Sequence, residues 1–229
     1  MTASRIRLWD LPLRLFHWSL VATVLGAIST GLIGGGWMVW HGRLGLAVVG
    51  LLAFRLVWGF VGSTHARFAA FFPTPGKIAA YLRGQWQGVG HNPLGALSVF
   101  ALLGLLSIQV ASGLLANDDI AFNGPLYPLI DKALSDAATG WHRLVVNALY
   151  LLLALHVAAI AFHDRIKRQN LVRPMITGWH EGPAEQESRG GGLPLFVCAL
   201  IVALAVTYAA SGMWIPAPAP LAPAPTMDW

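Results

Sequence analysis

Four imidazoles stand where ionisable groups are rare. His17, His41, His142 and His156 fall within or at the ends of long apolar runs, and a titratable ring at membrane depth is tolerated where it faces the protein interior and has a partner. His142 and His156 share the stretch from Trp141 to Arg165, 14 residues apart. On a helix of ~100° and ~1.5 Å per residue they lie within about 40° of one face and about 21 Å apart along it. Each therefore needs its own partner. A tetrahedral zinc centre gathers all its ligands at one point, usually with thiolate or carboxylate among them, and separated imidazole pairs do not supply that. Such pairs suit the axial coordination of two haem irons, each held between facing helices. Hydrogen-bonded structural histidines are the competing reading.

The elements that must position these rings are membrane spans. The 229 residues are 56% hydrophobic and 11% charged, with a mean hydropathy of +0.61, against about 25% charged in an ordinary soluble domain. The net charge of +5 is then a matter of topology rather than of nucleic-acid binding. The first span runs from Leu15 to the glycines Gly34 to Gly36, with Trp37 and Trp40 at the interface. The second opens at His41 and Arg43 and ends near Val61. The third is the uncharged run Leu94 to Ala116, preceded by Asn92 as cap and Pro93 at the first helical position. The fourth, centred on Leu144 to Phe162, follows a loop holding Asp118, Asp119, Asp131 and Asp136 that has room for a short helix. A polar stretch, Gly62 to Asn92, is broken by Pro73 and Pro75. Residues 179–192 read as a linker, 193–215 as a fifth span and 216–229 as a Pro/Ala-rich tail. The sole cysteine, Cys198, excludes an intrachain disulfide, and the first apolar run is too long for a secretory signal and lacks its cleavage site. The fold expected is an all-α integral membrane protein with five spans.

With the N-terminus inside, eleven Lys and Arg face the cytoplasm and three face outward, a clear positive-inside asymmetry. His17 and His156 then share an inner level, and His41 and His142 an outer one. Arg55, 14 residues after His41, shares its face and falls at the inner level, where a guanidinium can pair with a haem propionate; snorkelling to the interface is the alternative. Arg43 and Arg143 are placed to do the same for the outer haem. Gly26, Gly31, Gly45, Gly50 and Gly95 would admit a flat macrocycle or, equally, close helix packing. His163 is an alternative to His156; His65 and His91, in the inner loop, read as solvated or capping residues, with lining a quinone site or touching a haem propionate as the alternative; His180 reads as surface, and Gln109 as an interhelical hydrogen bonder.

The segments WDLPLRLFHW, HGRLGL, FRLVWGFVGSTHARF, GHNPLGAL, WHRLVVNALYLLLALHV and NLVRPMITG, in this order, resemble the bacterial cytochrome b561 and nickel-iron hydrogenase b-type cytochrome family from about Arg7 to Gly178. The resemblance implies two haem b groups with bis-histidine ligation, His17 and His156 for the inner one and His41 and His142 for the outer. It implies that the first four spans form a four-helix transmembrane haem-binding bundle over residues 1–178, with the fifth C-terminal transmembrane helix outside it. It implies a multi-pass protein of the bacterial inner membrane, embedded in lipid, for which the charge count and the five spans put the N-terminus in the cytoplasm and the C-terminus in the periplasm. Its partners would be the quinone pool and a periplasmic or membrane-bound redox protein, such as a c-type cytochrome or a hydrogenase-like complex, with no nucleic acid. A stand-alone superoxide or quinone oxidoreductase working at a haem edge is the second class. An ion transporter is disfavoured, because no membrane-embedded carboxylate or broken helix accompanies the histidines.

Overall fold

The computed structural model describes residues 4–216; apart from Pro216, the expected Pro/Ala tail lies outside them. A short strand, β1 (Ser4–Arg7), leads into α1 (Leu11–Ile33), α2 (Met38–Val61), α3 (Phe68–Phe71), α4 (Pro75–Leu82), α5 (Pro93–Leu115), α6 (Lys132–Arg165) and α7 (Val172–Thr177). Strand β2 (Trp179–Gly182) and α8 (Leu193–Ala210) complete the order. Five of these helices are long and apolar enough to cross a membrane: α1, α2, α5, α6 and α8. The expected five-span architecture is the one observed.

Helix boundaries follow local chemistry. Asp10 caps α1 by accepting from the Leu13 amide at 2.6 Å, with Pro12 in the first turn. Its other oxygen accepts from the Trp58 indole at 3.0 Å, tying the start of α1 to the end of α2. Asn92 caps α5 through the Gly95 amide at 2.8 Å, as the Asn-Pro pair predicts. The loop before the fourth span holds a short 3-10 helix, Tyr127–Leu129, as expected, and α6 begins ahead of Trp141, at Lys132. Asp131 caps α6, no proline interrupts it, and at 34 residues it is about 51 Å long, well beyond a hydrocarbon core of roughly 30 Å. The projecting first turns are held to the end of α5: Ser135 donates to the Leu115 carbonyl at 2.7 Å, and the Asn117 amide donates to Ser135 and Asp136.

In the bundle α1 packs on α2, α2 on α5, and α5 on α6, whereas α1 and α6 are not in close backbone packing. The core has an aromatic cluster where α1, α2 and α8 meet, built on Trp9, Phe16, Phe54 and Trp58, and an aliphatic one of Val48, Leu52, Leu106, Val145 and Leu149. Exposed leucine, isoleucine and valine on the outer faces suit a lipid solvent, which is as apolar as they are. Helix α8 lies along α2, burying Ala199 and Ala203. There Gly50 sits so close that a Cβ on it would come within 2.5 Å of the Thr207 hydroxyl. The helix stops at Ala210, five residues before the uncharged run ends, in a turn where Gly212 takes φ +67°.

Residues 179–192 are not a free linker. Strand β2 pairs antiparallel with β1, Arg7 opposite Trp179 and Ser4 opposite Gly182, and the guanidiniums of Arg5 and Arg7 lie 4.8 and 5.5 Å from the Trp179 ring centre. The segment continues across this end of the bundle: Ser188 donates to the Arg7 carbonyl and the Thr64 amide to Arg189, both at 2.8 Å. We call this the basic end; the opposite one carries Asp118, Asp119, Asp131 and Asp136.

Candidate functional site

At the acidic end His41 of α2 and His142 of α6 face each other, ring centroids 6.0 Å apart and planes at 86°. Each is docked in the same way on a neighbouring helix. The His41 Nδ1–H donates to the Ala27 carbonyl of α1 at 2.9 Å, and its ring lies over Gly31, four residues on. The His142 Nδ1–H donates to the Gln109 carbonyl of α5 at 2.9 Å, and its ring lies over Gly113, again four residues on. A Cβ at Gly31 or Gly113 would stand 2.9 Å from the ring it supports. Residue i+4 is the one that shields carbonyl i on a helix, so glycine there opens the carbonyl to a second donor. The consequence is chemical: with Nδ1 carrying the proton, Nε2 keeps the lone pair that a metal requires. Two imidazoles bound to one metal at about 2 Å each have ring centres on the order of 6 Å apart, which is the separation found. Among the described residues no group of three or more His, Cys, Asp or Glu could hold a metal ion, so the donor set is a pair, as axial haem ligation needs.

Gln109 is the interhelical hydrogen bonder that its position predicts. Besides its carbonyl, its side-chain amide donates to the His142 Nε2 at 3.1 Å, while its Oε1 is buried without a partner. Arg43 and Arg143, expected to assist here, are not brought inside: both are exposed, and the Arg43 guanidinium stacks 4.9 Å from the Trp40 ring centre. Of the five glycines noted, Gly31 supports His41, Gly26 meets Leu44, Gly50 admits α8, Gly95 lies over its own cap Asn92, and only Gly45 faces open space.

Toward the basic end, His17 on α1 and His156 on α6 are each partly buried. The His17 Nδ1 is buried without a partner. Arg55 is buried at 2% exposure, which excludes snorkelling. Its guanidinium rests 4.4 Å above the Phe68 ring, and its Nη1 is buried and unpartnered among the described residues. A charge held this deep calls for an anion. The alternative ligand His163 has both nitrogens engaged, as His142 has: Nδ1–H to the Ala159 carbonyl at 2.9 Å and Nε2 accepting from the Tyr81 hydroxyl at 3.1 Å.

His91, expected as a solvated or capping loop residue, instead lies between Trp9 and Phe71, at 4.7 and 4.4 Å between ring centres, its Nδ1 buried without a partner. Burial first, then the positive charges of Arg55, His65, His17 and His156, push its pKa down to about 3; it is neutral near pH 7. His65 donates Nε2–H to the Gln186 carbonyl at 2.8 Å. His180 is exposed on β2, as expected.

Membrane-spanning helices that direct paired, tautomer-fixed imidazoles into their interior define a haem-binding membrane cytochrome. The comparisons give its lineage: the sequence profile of prokaryotic cytochrome b561 matches residues 8–178, and the chain belongs to that family, whose prosthetic group is haem b. It is similar to proteins described as probable Ni/Fe-hydrogenase B-type cytochrome subunits. That of Azotobacter chroococcum mcd 1 is 26% identical over 217 residues, covering 77% of this chain and 88% of the relative. Those of Bradyrhizobium diazoefficiens and Cupriavidus necator are 23% and 24% identical, covering 76% and 75% of this chain and 85% of each relative. No solved structure matches. The profile match ends before α8.

Gly113→Ala is expected to disturb haem binding without touching a ligand, because the added methyl meets the His142 ring at 2.9 Å. Overpacking of this kind costs about 1–3 kcal/mol, so hemin titration of the haem-stripped protein, followed by Soret absorbance, should give an affinity weaker by roughly 5- to 150-fold. An unchanged affinity would remove Gly113 from the site.

Proposed function

We propose that the chain is the di-haem electron-transfer subunit of a membrane oxidoreductase, passing electrons between a redox partner at the acidic, periplasmic end and a quinone in the bacterial inner membrane. The observation that carries this reading is the facing pair His41 and His142 at one end of α6, with His156 about 21 Å further along the same helix, at the level expected for His17. The haem bound at each level supplies a one-electron couple. The chain's residues do the rest: the Ala27 and Gln109 carbonyls fix the ligand tautomer, the helices exclude water, and Arg55 places positive charge at the basic-end site. A hydrogenase-type partner fits the names of the relatives, and the positive-inside rule supports the orientation.

Haem content is the test. With no Cys-x-x-Cys-His attachment motif and Cys198 as the sole cysteine, acid-acetone extraction should release all the haem, and a pyridine haemochrome assay should return two per chain. One haem per chain, or haem retained by the polypeptide, would overturn the di-haem reading. Proteins that copurify identify the redox partner.

A further inference from the structure

The turn from α6 into α7, with the helix ends beside it, carries Arg165, Lys167, Arg168 and Arg173, all exposed, against a single carboxylate, Asp164. Other arginines at this end are committed: Arg5 and Arg7 stack on Trp179, and Arg55 is buried over Phe68. The side chains of these four make no hydrogen bond, ion pair or ring stack among the described residues, where the ion pairs all belong to Lys132. The turn is nonetheless ordered. It folds back on the end of α6, the Gln169 amide donating to the His163 carbonyl at 2.9 Å, and the Asn170 side chain accepts from the Arg173 amide at 2.8 Å. Arg168 holds φ +55°, a conformation that glycine or asparagine reaches with less strain, so a bulky cation is kept there against the backbone's preference. Between the cations, Ile166, Leu171, Val172 and Ile176 expose apolar side chains. Cations interleaved with bared hydrocarbon at the end of a membrane span suit neither bulk water nor the hydrocarbon core, but the layer of lipid head groups between them.

We propose that this corner binds the head group of an anionic phospholipid, its phosphate held by Arg168 and Arg173 and its acyl chains lying along Ile166, Leu171 and Ile176. Guanidiniums match phosphate oxygens in geometry as well as in charge, and a zwitterionic lipid would bring a cation of its own to a corner that already has four. The site has a structural consequence. Helix α7 is fastened to α1: the Arg14 guanidinium donates to the Ile176 carbonyl, and the Trp18 indole donates to the Met175 carbonyl at 3.2 Å. Helices α1 and α6 are not in close backbone packing. A lipid seated on the turn therefore ties the end of α6 to the start of α1, the two helices that carry His156 and His17.

The test uses the haem-loaded protein, delipidated in detergent, with dioleoyl phosphatidylglycerol, dioleoyl phosphatidylcholine and inorganic phosphate as probes. Native mass spectrometry counts the lipid retained, and the Soret band followed on heating gives the melting midpoint. The parent should retain one phosphatidylglycerol with an affinity about tenfold or more above that for phosphatidylcholine, and its midpoint should rise with the anionic lipid alone. The double variant Arg168→Gln, Arg173→Gln should lose both the preference and the rise, whereas Arg168→Lys, Arg173→Lys, which keeps the charge, should retain the greater part of both. Arg67→Gln, Arg189→Gln removes as many exposed charges from the same end and should match the parent. Visible spectra equal to the parent's certify the fold, and if the glutamine pair loses haem, Arg168→Gln alone decides. Equal binding of the two lipids by the parent overturns the site. An equal loss in Arg67→Gln, Arg189→Gln overturns it too, since the preference would then belong to the whole basic end. Displacement of the lipid by an equal concentration of inorganic phosphate would leave a site for free phosphate and not for lipid.

Discussion

His41→Ala and His142→Ala are each expected to lose one and the same haem, leaving a protein with about one haem per chain and a single component in redox titration. The rings face each other at 6.0 Å, and removing either leaves the iron with one axial side chain. His17→Ala and His156→Ala should leave the complementary component, because their level lies about 21 Å along α6 from His142. Measured potentials then sort the four mutants into two classes of two. The sharpest risk to this assignment is His163, seven residues beyond His156. His156 is the histidine assigned to the level of His17, so His163→Ala is expected to keep both components. Should His156→Ala keep both and His163→Ala lose one, the ligand at the basic end is His163.

Arg55→Gln should lower the midpoint potential of the haem at the basic end and leave the other nearly unchanged. Adding an electron lowers the charge at the iron, and a nearby positive charge favours that change. A unit charge about 10 Å away, at an effective dielectric constant of about 20, contributes about 1.7 kcal/mol, or roughly 70 mV for one electron. A propionate paired with the guanidinium reduces this to tens of millivolts. Glutamine preserves a polar side chain but no charge, so the titration is made with both haems bound. Equal potentials in mutant and parent would reduce Arg55 to a packing role. A shift confined to the haem between His41 and His142 would mean that the pairing is wrong.

The five spans were legible because hydrophobic runs of 18 residues or more have few other physical solutions, and the cap at Asn92 because Asn followed by Pro is a helix-start signal; the Asp10 cap, ahead of a span read as starting at Leu15, was not. The facing of His41 and His142 followed from helix geometry and charge asymmetry. What escaped was of a different kind. β1 and β2 are four residues each, too short for a periodic signal, and their pairing depends on two distant segments meeting. The carbonyl-and-glycine docking of His41 and His142 was hidden because the sequence names the glycine four residues after the acceptor but not which neighbouring ring lies over it. Arg43 was misplaced because proximity along the chain to a ligand does not fix the direction of a long side chain at an interface, where stacking on Trp40 keeps the charge in water.

The antiparallel ribbon that closes the basic end joins residues 178 positions apart, as in the bond from Ser4 to Gly182. During synthesis the first strand emerges long before its mate. At about 5–20 residues per second it waits roughly 10–35 s, through the production of α1, α2, α5 and α6. In that interval the basic end cannot be sewn shut by the ribbon, and the segment that crosses it, with its clamps to Arg7, Thr64 and His65, does not yet exist. Closure of that end is thus timed by translation: haem entering from that side has its freest passage before the last quarter of the chain is made.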